Sequence, residues 1–189
     1  MMMRSRWTAA AVAVLMGLTG GALQAQQLKN ENLLVGMPQG FKVGFKDSKN
    51  GMNMQEFVPA SETVQNWTEM VAVQVFLSRK DLQPGPFLAA MQKQWSDGCK
   101  GSTSTAVTTG KVKGYDSASV LLSCPLLAST GKPETAVIKA IKGNDSFYVV
   151  QRAVRSVPAP ERLETMKKYV EEVSVCDSRL ATAPCPTVR

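Results

Sequence analysis

The stretch Asn66-Trp67-Thr68-Glu69-Met70-Val71-Ala72-Val73-Gln74-Val75-Phe76-Leu77 is the longest run of β-branched and apolar residues beyond the N-terminal region. In an extended chain Val71, Val73, Val75 and Leu77 fall on one side. Met70, Ala72 and Phe76 fall on the other, with Gln74 as the one polar member. A strand that is apolar on both sides needs cover on both, so this run predicts a central strand of a sheet.

Upstream, Leu28 to Gly36 reads as a lead-in, and Met37-Pro38-Gln39-Gly40-Phe41 as a turn that launches a strand. Phe41, Val43 and Phe45 alternate with Lys42, Gly44 and Lys46, which predicts apolar residues inward and polar residues outward. Asn50-Gly51 is a hairpin turn signal, after which Met52 to Val58 returns as the second strand. Downstream, Pro86 suits the first position of a helix, where its missing N–H would have had no partner. Phe87, Met91 and Trp95, with Leu88, form the apolar stripe of that helix, and Gly98 ends it.

Gly101 to Thr109 is rich in Ser and Thr, which suits a loop, while its β-branched content also allows a polar edge strand. Tyr115 to Leu122 predicts a further strand. Thr135 to Ile141 and Phe147 to Val154 form a second hairpin about Gly143-Asn144-Asp145. The segment from Glu161 to about Val173, led by Pro158-Ala159-Pro160, is a helix with Leu163, Met166, Val170 and Val173 on one stripe. Glu164 with Lys168, and Lys167 with Glu171, have ion-pair spacing on its wet side.

The ends bear on compartment. Arg4 and Arg6, the apolar Trp7 to Leu18 and the small-residue exit ending at Ala25 make a secretory signal peptide, expected to be cut after Ala25. Its removal takes the formal charge from +7 to +5 through the loss of Arg4 and Arg6. No later run approaches the ~20 apolar residues of a membrane span. Cys99, Cys124, Cys176 and Cys185 are an even set in an oxidising destination and predict two disulfides. Cys176 and Cys185 are close in sequence, with turn residues Asp177 and Pro184 between them, and are expected to pair. Cys99 then joins Cys124, a bridge that stabilises by roughly 3 kcal/mol in the chain-entropy model.

These elements predict an α+β fold, a single domain with a mostly antiparallel sheet of about six to seven strands and two main helices packed on it. The expected division is a signal peptide over 1–25, a sandwich domain over 26–176, and a tail over 177–189 stapled by a disulfide. The Pro38-Gln39-Gly40-Phe41 launch into a hairpin, the strand after it and the closing helix resemble the PsbP-like α/β/α sandwich group. Asn66-Trp67-Thr68-Glu69-Met70 followed by alternating valines also resembles uncharacterised secreted proteins of Gram-negative bacteria. The resemblance implies a non-enzymatic accessory or binding role.

The chain holds no histidine, which removes Ser-His-Asp and Cys-His catalysis and histidine metal sites. No C-x-x-C pair is present, so no metal site is expected, and no cofactor. Ser129-x-x-Lys132 has the spacing of penicillin-recognising enzymes, but Gly131 and Pro133 deny it the helix that chemistry uses. Gly110-Lys111 and Gly131-Lys132 lack the following Ser or Thr of a phosphate-binding loop. Glu56, Glu62, Glu69 and Asp116 stand apart in sequence, and Glu171-Glu172 lies on a wet helix face, so no catalytic residues are assigned.

Lys111, Lys113, Lys139, Lys142, Arg152 and Arg155 bracket the later strands, and of these Lys111, Lys113, Lys139 and Arg152 are the candidate binding residues. Trp67 and Trp95 suit the core better than a ligand pocket. Sparse aromatic interleaving argues against nucleic acid. The expectation is a periplasmic or secreted accessory protein that binds another envelope protein or an anionic envelope component. A carboxylate-dependent hydrolase of an envelope polymer and an inhibitor or immunity protein are the alternatives.

Overall fold

The computed structural model describes residues 26–188, so the expected signal peptide at 1–25 lies outside the described residues. The chain opens with β1 (Gln26–Gln27) and β2 (Glu31–Leu34), then forms the hairpin β3 (Phe41–Lys49) and β4 (Met52–Pro59). β5 (Glu69–Leu77) leads to α1 (Pro84–Gly98). β6 (Thr103–Ser104), β7 (Thr108–Val112), β8 (Tyr115–Leu127), β9 (Lys132–Lys142) and β10 (Ser146–Val154) follow. α2 (Pro160–Glu172), β11 (Ser174–Asp177) and β12 (Thr187–Val188) close the chain.

The main sheet has eight strands in the order β3-β4-β5-β10-β9-β8-β6, with β7 also paired to β8, and every pairing is antiparallel. The Ser/Thr-rich stretch accounts for the strand beyond the expected number, because it supplies two short pieces of polar edge on β8 instead of one. β5 is an inner strand, as its two apolar sides require. Met70 and Phe76 pack on the α1 side, and Val71, Val73 and Val75 on the other. The middle of the sheet is β10 itself, buried along nearly its whole length.

α1 covers one face. Leu88 is fully buried, and Phe87, Met91 and Trp95 pack with it against Phe147, Ile138 and Leu122. Ala118, Ala136, Ala140 and Ala153 line the sheet beneath and let the helix approach closely. Phe76, Phe87 and Phe147 meet at ring separations of 5.7, 6.1 and 5.0 Å, within the range of favourable tilted and edge contacts. On the opposite face Met166 and Val170 of α2 pack against Val137 and Val154. A ribbon of β2 and β11 completes that cover, with Leu33 and Val175 over Val71, Val73 and Val150. The result is three layers, with one helix on each side of the sheet.

Several details differ from the sequence expectation. α1 begins at Pro84, two residues earlier than predicted, and Phe87 N–H donates to the Gln83 carbonyl at 3.0 Å. Both Pro84 and Pro86 then sit in the first turn, where helix N–H groups lack partners anyway. The expected alternation is not kept in β3, the edge strand of the sheet, where the register shifts between Val43 and Phe45. On this edge strand Val43 is 53% and Phe45 41% exposed, and a side chain added at Gly44 would meet Val58 and Val64. In α2, Lys167 pairs with Glu164 at 2.7 Å, one turn back, in place of Glu171.

Two hairpins turn on paired left-handed residues. Asn50 and Gly51 have φ of 53° and 75°, and Lys113 and Gly114 have 47° and 88°, the geometry of a two-residue turn that matches strand twist. Both disulfides are present as expected. Cys99–Cys124 ties the exit of α1 to β8, and Cys176–Cys185 ties β11 to the C-terminal segment. No helix among the described residues is long and apolar enough to cross a membrane.

Candidate functional site

The basic residues singled out in the sequence do not gather into one patch. Lys111, Asp116 and Lys142 lie in one row across β7, β8 and β9, where the exposed Lys111 amine pairs with Asp116 at 2.6 Å. That pair borders a cavity of about 400 Å³ beside the start of α1. Lys113 is in the β7–β8 turn. Arg152 is near the other end of the sheet, opposite Val137 and Val71.

Lys139 faces α2 from β9 and is 8% exposed. Its amine donates to the carbonyls of Glu171 at 3.0 Å and Val173 at 2.7 Å, so it caps the C-terminal end of α2. A cation there satisfies orphan carbonyls and suits the helix dipole. Burial lowers its pKa from the ordinary lysine value, and Glu171 works against that. Lys139 also floors a cavity of about 280 Å³, with Glu171 and Lys167 at its rim and the polar β8 edge opposite.

Arg152 is different. Its position on β10 points it to the α2 side, where it is 6% exposed. Antiparallel pairing of β5 with β10 places Glu69, the first residue of β5, across from Val154 and so beside Arg152 on the same face. The Glu69 carboxylate accepts from Arg152 Nη2 and also pairs with Arg162 of α2. Phe41 and Tyr169 hold the guanidinium at 4.8 and 5.6 Å from their ring centroids, within cation–π reach. Tyr169 is itself fixed by donating its hydroxyl to the Gly36 carbonyl at 2.6 Å. Arg152 Nη1, buried, has no hydrogen-bond partner among the described residues.

These groups line a cavity of about 330 Å³, bounded by the Pro38–Gln39 turn on one side and Arg162 and Thr165 of α2 on the other. Burial lowers the Arg152 pKa from the ordinary arginine value and Glu69 opposes that shift. An arginine stays charged under either influence. Two guanidiniums therefore share one carboxylate, leaving an excess of one positive charge at the cavity.

Of the four candidates, Arg152 alone lines this cavity. In the sequence Glu69 stands as one of several isolated carboxylates, and Arg162, Phe41 and Tyr169 carry no site signal. They come together only through the β5–β10 register and the return of α2 across the sheet. Trp67 is 6% exposed and packs in the core, with Arg155 stacked 4.2 Å from its ring.

No family model and no curated relative matches the chain. Among solved structures it is similar to the cyanobacterial PsbP protein CyanoP from Synechocystis, with 11% identity over 83% of this chain and 98% of that one and a TM-score of 0.48. It is also similar to LpqN of Mycobacterium tuberculosis, described as involved in cell envelope biogenesis. That match has 11% identity over 78% of this chain and 84% of that one, with a TM-score of 0.47. The Ran-binding protein Mog1p of Saccharomyces cerevisiae matches at 11% identity over 76% and 85% of the two chains, with a TM-score of 0.44.

Proposed function

We propose that this protein is a non-enzymatic, extracytoplasmic binding protein of the cell envelope, and that its ligand enters the cavity over Arg152. The observation that carries the reading is the buried guanidinium of Arg152, which lines the cavity and whose Nη1 has no hydrogen-bond partner among the described residues. Desolvating a cation costs several kcal/mol. Glu69 offsets part of that, and a ligand atom at Nη1 completes the compensation. The N-terminal Arg4, Arg6 and apolar run, together with two disulfides, support a destination outside the cytoplasm. The hydrolase alternative needs two carboxylates in one cleft. The three cavities described carry one each, Glu69, Asp116 and Glu171.

The test is amide NMR of the purified native protein mixed with the low-molecular-weight fraction of its own cell envelope. Shift changes centred on Arg162, Thr165 and Tyr169 are the expected result. Changes confined to other surfaces, or none, contradict the reading.

A further inference from the structure

Arginine forks recognise oxyanions through the edge of the guanidinium plane, where the N–H groups project. Phe41 and Tyr169 crowd Arg152, Nη2 is committed to Glu69, and the buried Nη1 has no partner among the described residues, in a side chain that lines the cavity. Arg162 stands on the same carboxylate from the helix side and is partly exposed, so it too can turn a donor toward an incoming group. The local charge balance sets how much negative charge the site wants. Arg152 and Arg162 bring two positive charges and Glu69 removes one.

We propose that the cavity over Arg152 receives one singly charged oxyanion, a carboxylate or a phosphodiester, held by Arg152 Nη1 and Arg162. The proposal rests on the binding role argued above and adds the ligand's chemistry. The volume of about 330 Å³ accommodates such a head group with part of the molecule that bears it. A cation is repelled by the excess charge. A neutral amide satisfies Nη1 but leaves that charge uncompensated. A dianion brings one negative charge more than the site offsets.

The experiment follows arginine side-chain NMR signals of the purified native protein during titration with acetate, dimethyl phosphate, inorganic phosphate and acetamide. Saturable shifts of Arg152 and Arg162 with acetate or dimethyl phosphate are expected, and the tighter of the two identifies the source as carboxylate or phosphodiester. Arg162→Gln, at a partly exposed position, should weaken that binding by roughly tenfold or more, the scale of a lost charge-assisted hydrogen bond. Glu69→Gln, which frees both guanidiniums, should tighten it.

Acetamide matching the anions, phosphate at alkaline pH exceeding both monoanions, or anion shifts that Arg162→Gln leaves unchanged each overturn the proposal. If envelope extract perturbs the cavity while none of these anions does, the oxyanion proposal fails and the binding role stands. If neither perturbs it, both fail.

Discussion

The Tyr148 hydroxyl donates a hydrogen bond of 2.9 Å to Glu31 Oε1, joining residues 117 positions apart. The same carboxylate accepts the backbone N–H of Asn144, of Asp145 at 3.1 Å and of Ser146 at 3.2 Å. Glu31 thus fills the nest of amides at the β9–β10 turn and fastens β2 to the main sheet. Arg179 braces the same corner by bridging Asp145 and Asp177. Removing the carboxylate leaves several donors without an acceptor. Glu31→Ala is expected to cost about 2 kcal/mol, the scale of leaving partly buried polar groups unsatisfied. Urea unfolding checks this, and an unchanged midpoint contradicts the pinning role.

All three tyrosines of the chain have their pKa raised, each mainly by burial. The shift is largest for Tyr148, where the Glu31 charge and hydrogen bond add to burial. A raised phenol pKa means that the folded state favours the neutral form while the unfolded chain ionises near pH ~10. The stabilisation is therefore fully present below about pH 10 and is lost as pH rises beyond it. Phenolate absorbance of the folded protein should rise only well above the ordinary tyrosine range, together with loss of structure. A tyrosine titrating normally in the folded protein would contradict this.

The two disulfides should differ in weight. The chain-entropy model gives about 3.5 kcal/mol for the longer Cys99–Cys124 loop and about 2.6 kcal/mol for Cys176–Cys185. Paired Cys→Ala variants, compared by denaturant midpoint, should rank in that order. The second pair should also loosen β11 and β2, read as faster amide exchange at Val175 and Leu33. The reverse order, or exchange unchanged in the ribbon, contradicts the account.

Gly44→Ala tests the bulge. A methyl group there meets Val58 Cγ2 at 2.9 Å and Val64 Cγ1 at 2.8 Å, closer than side chains tolerate. Valine methyls cannot swing aside as the end of a long chain can, so a loss of about 1–3 kcal/mol is expected. A neutral midpoint in thermal or urea unfolding would place Gly44 elsewhere.

This glycine also shows where the sequence stops being legible. The alternation from Phe41 to Lys46 reads as a half-buried strand, but the strand lies at the sheet edge with a register shift beside Gly44, Phe45 is exposed, and nothing local announces it. Asn50-Gly51 and the two-sided run Met70 to Phe76 were legible because turn chemistry and side-chain alternation act within a few residues. β2 and β11 were not. Each is four residues long, and Leu33 and Val175 gain meaning only when paired across the length of the domain. The same holds for the candidate site. Arg152 was legible as a basic residue on a strand, while its partners Glu69 and Arg162 are fixed by strand register and by the path of α2.

The most direct test of the account is a crystal structure of the native protein grown with dimethyl phosphate and, separately, with acetate. An oxyanion bonded to Arg152 Nη1 and Arg162 is expected, with Glu69 still between the two guanidiniums. Both structures showing Arg152 Nη1 satisfied by the protein's own groups, with the anions elsewhere or absent, would contradict it.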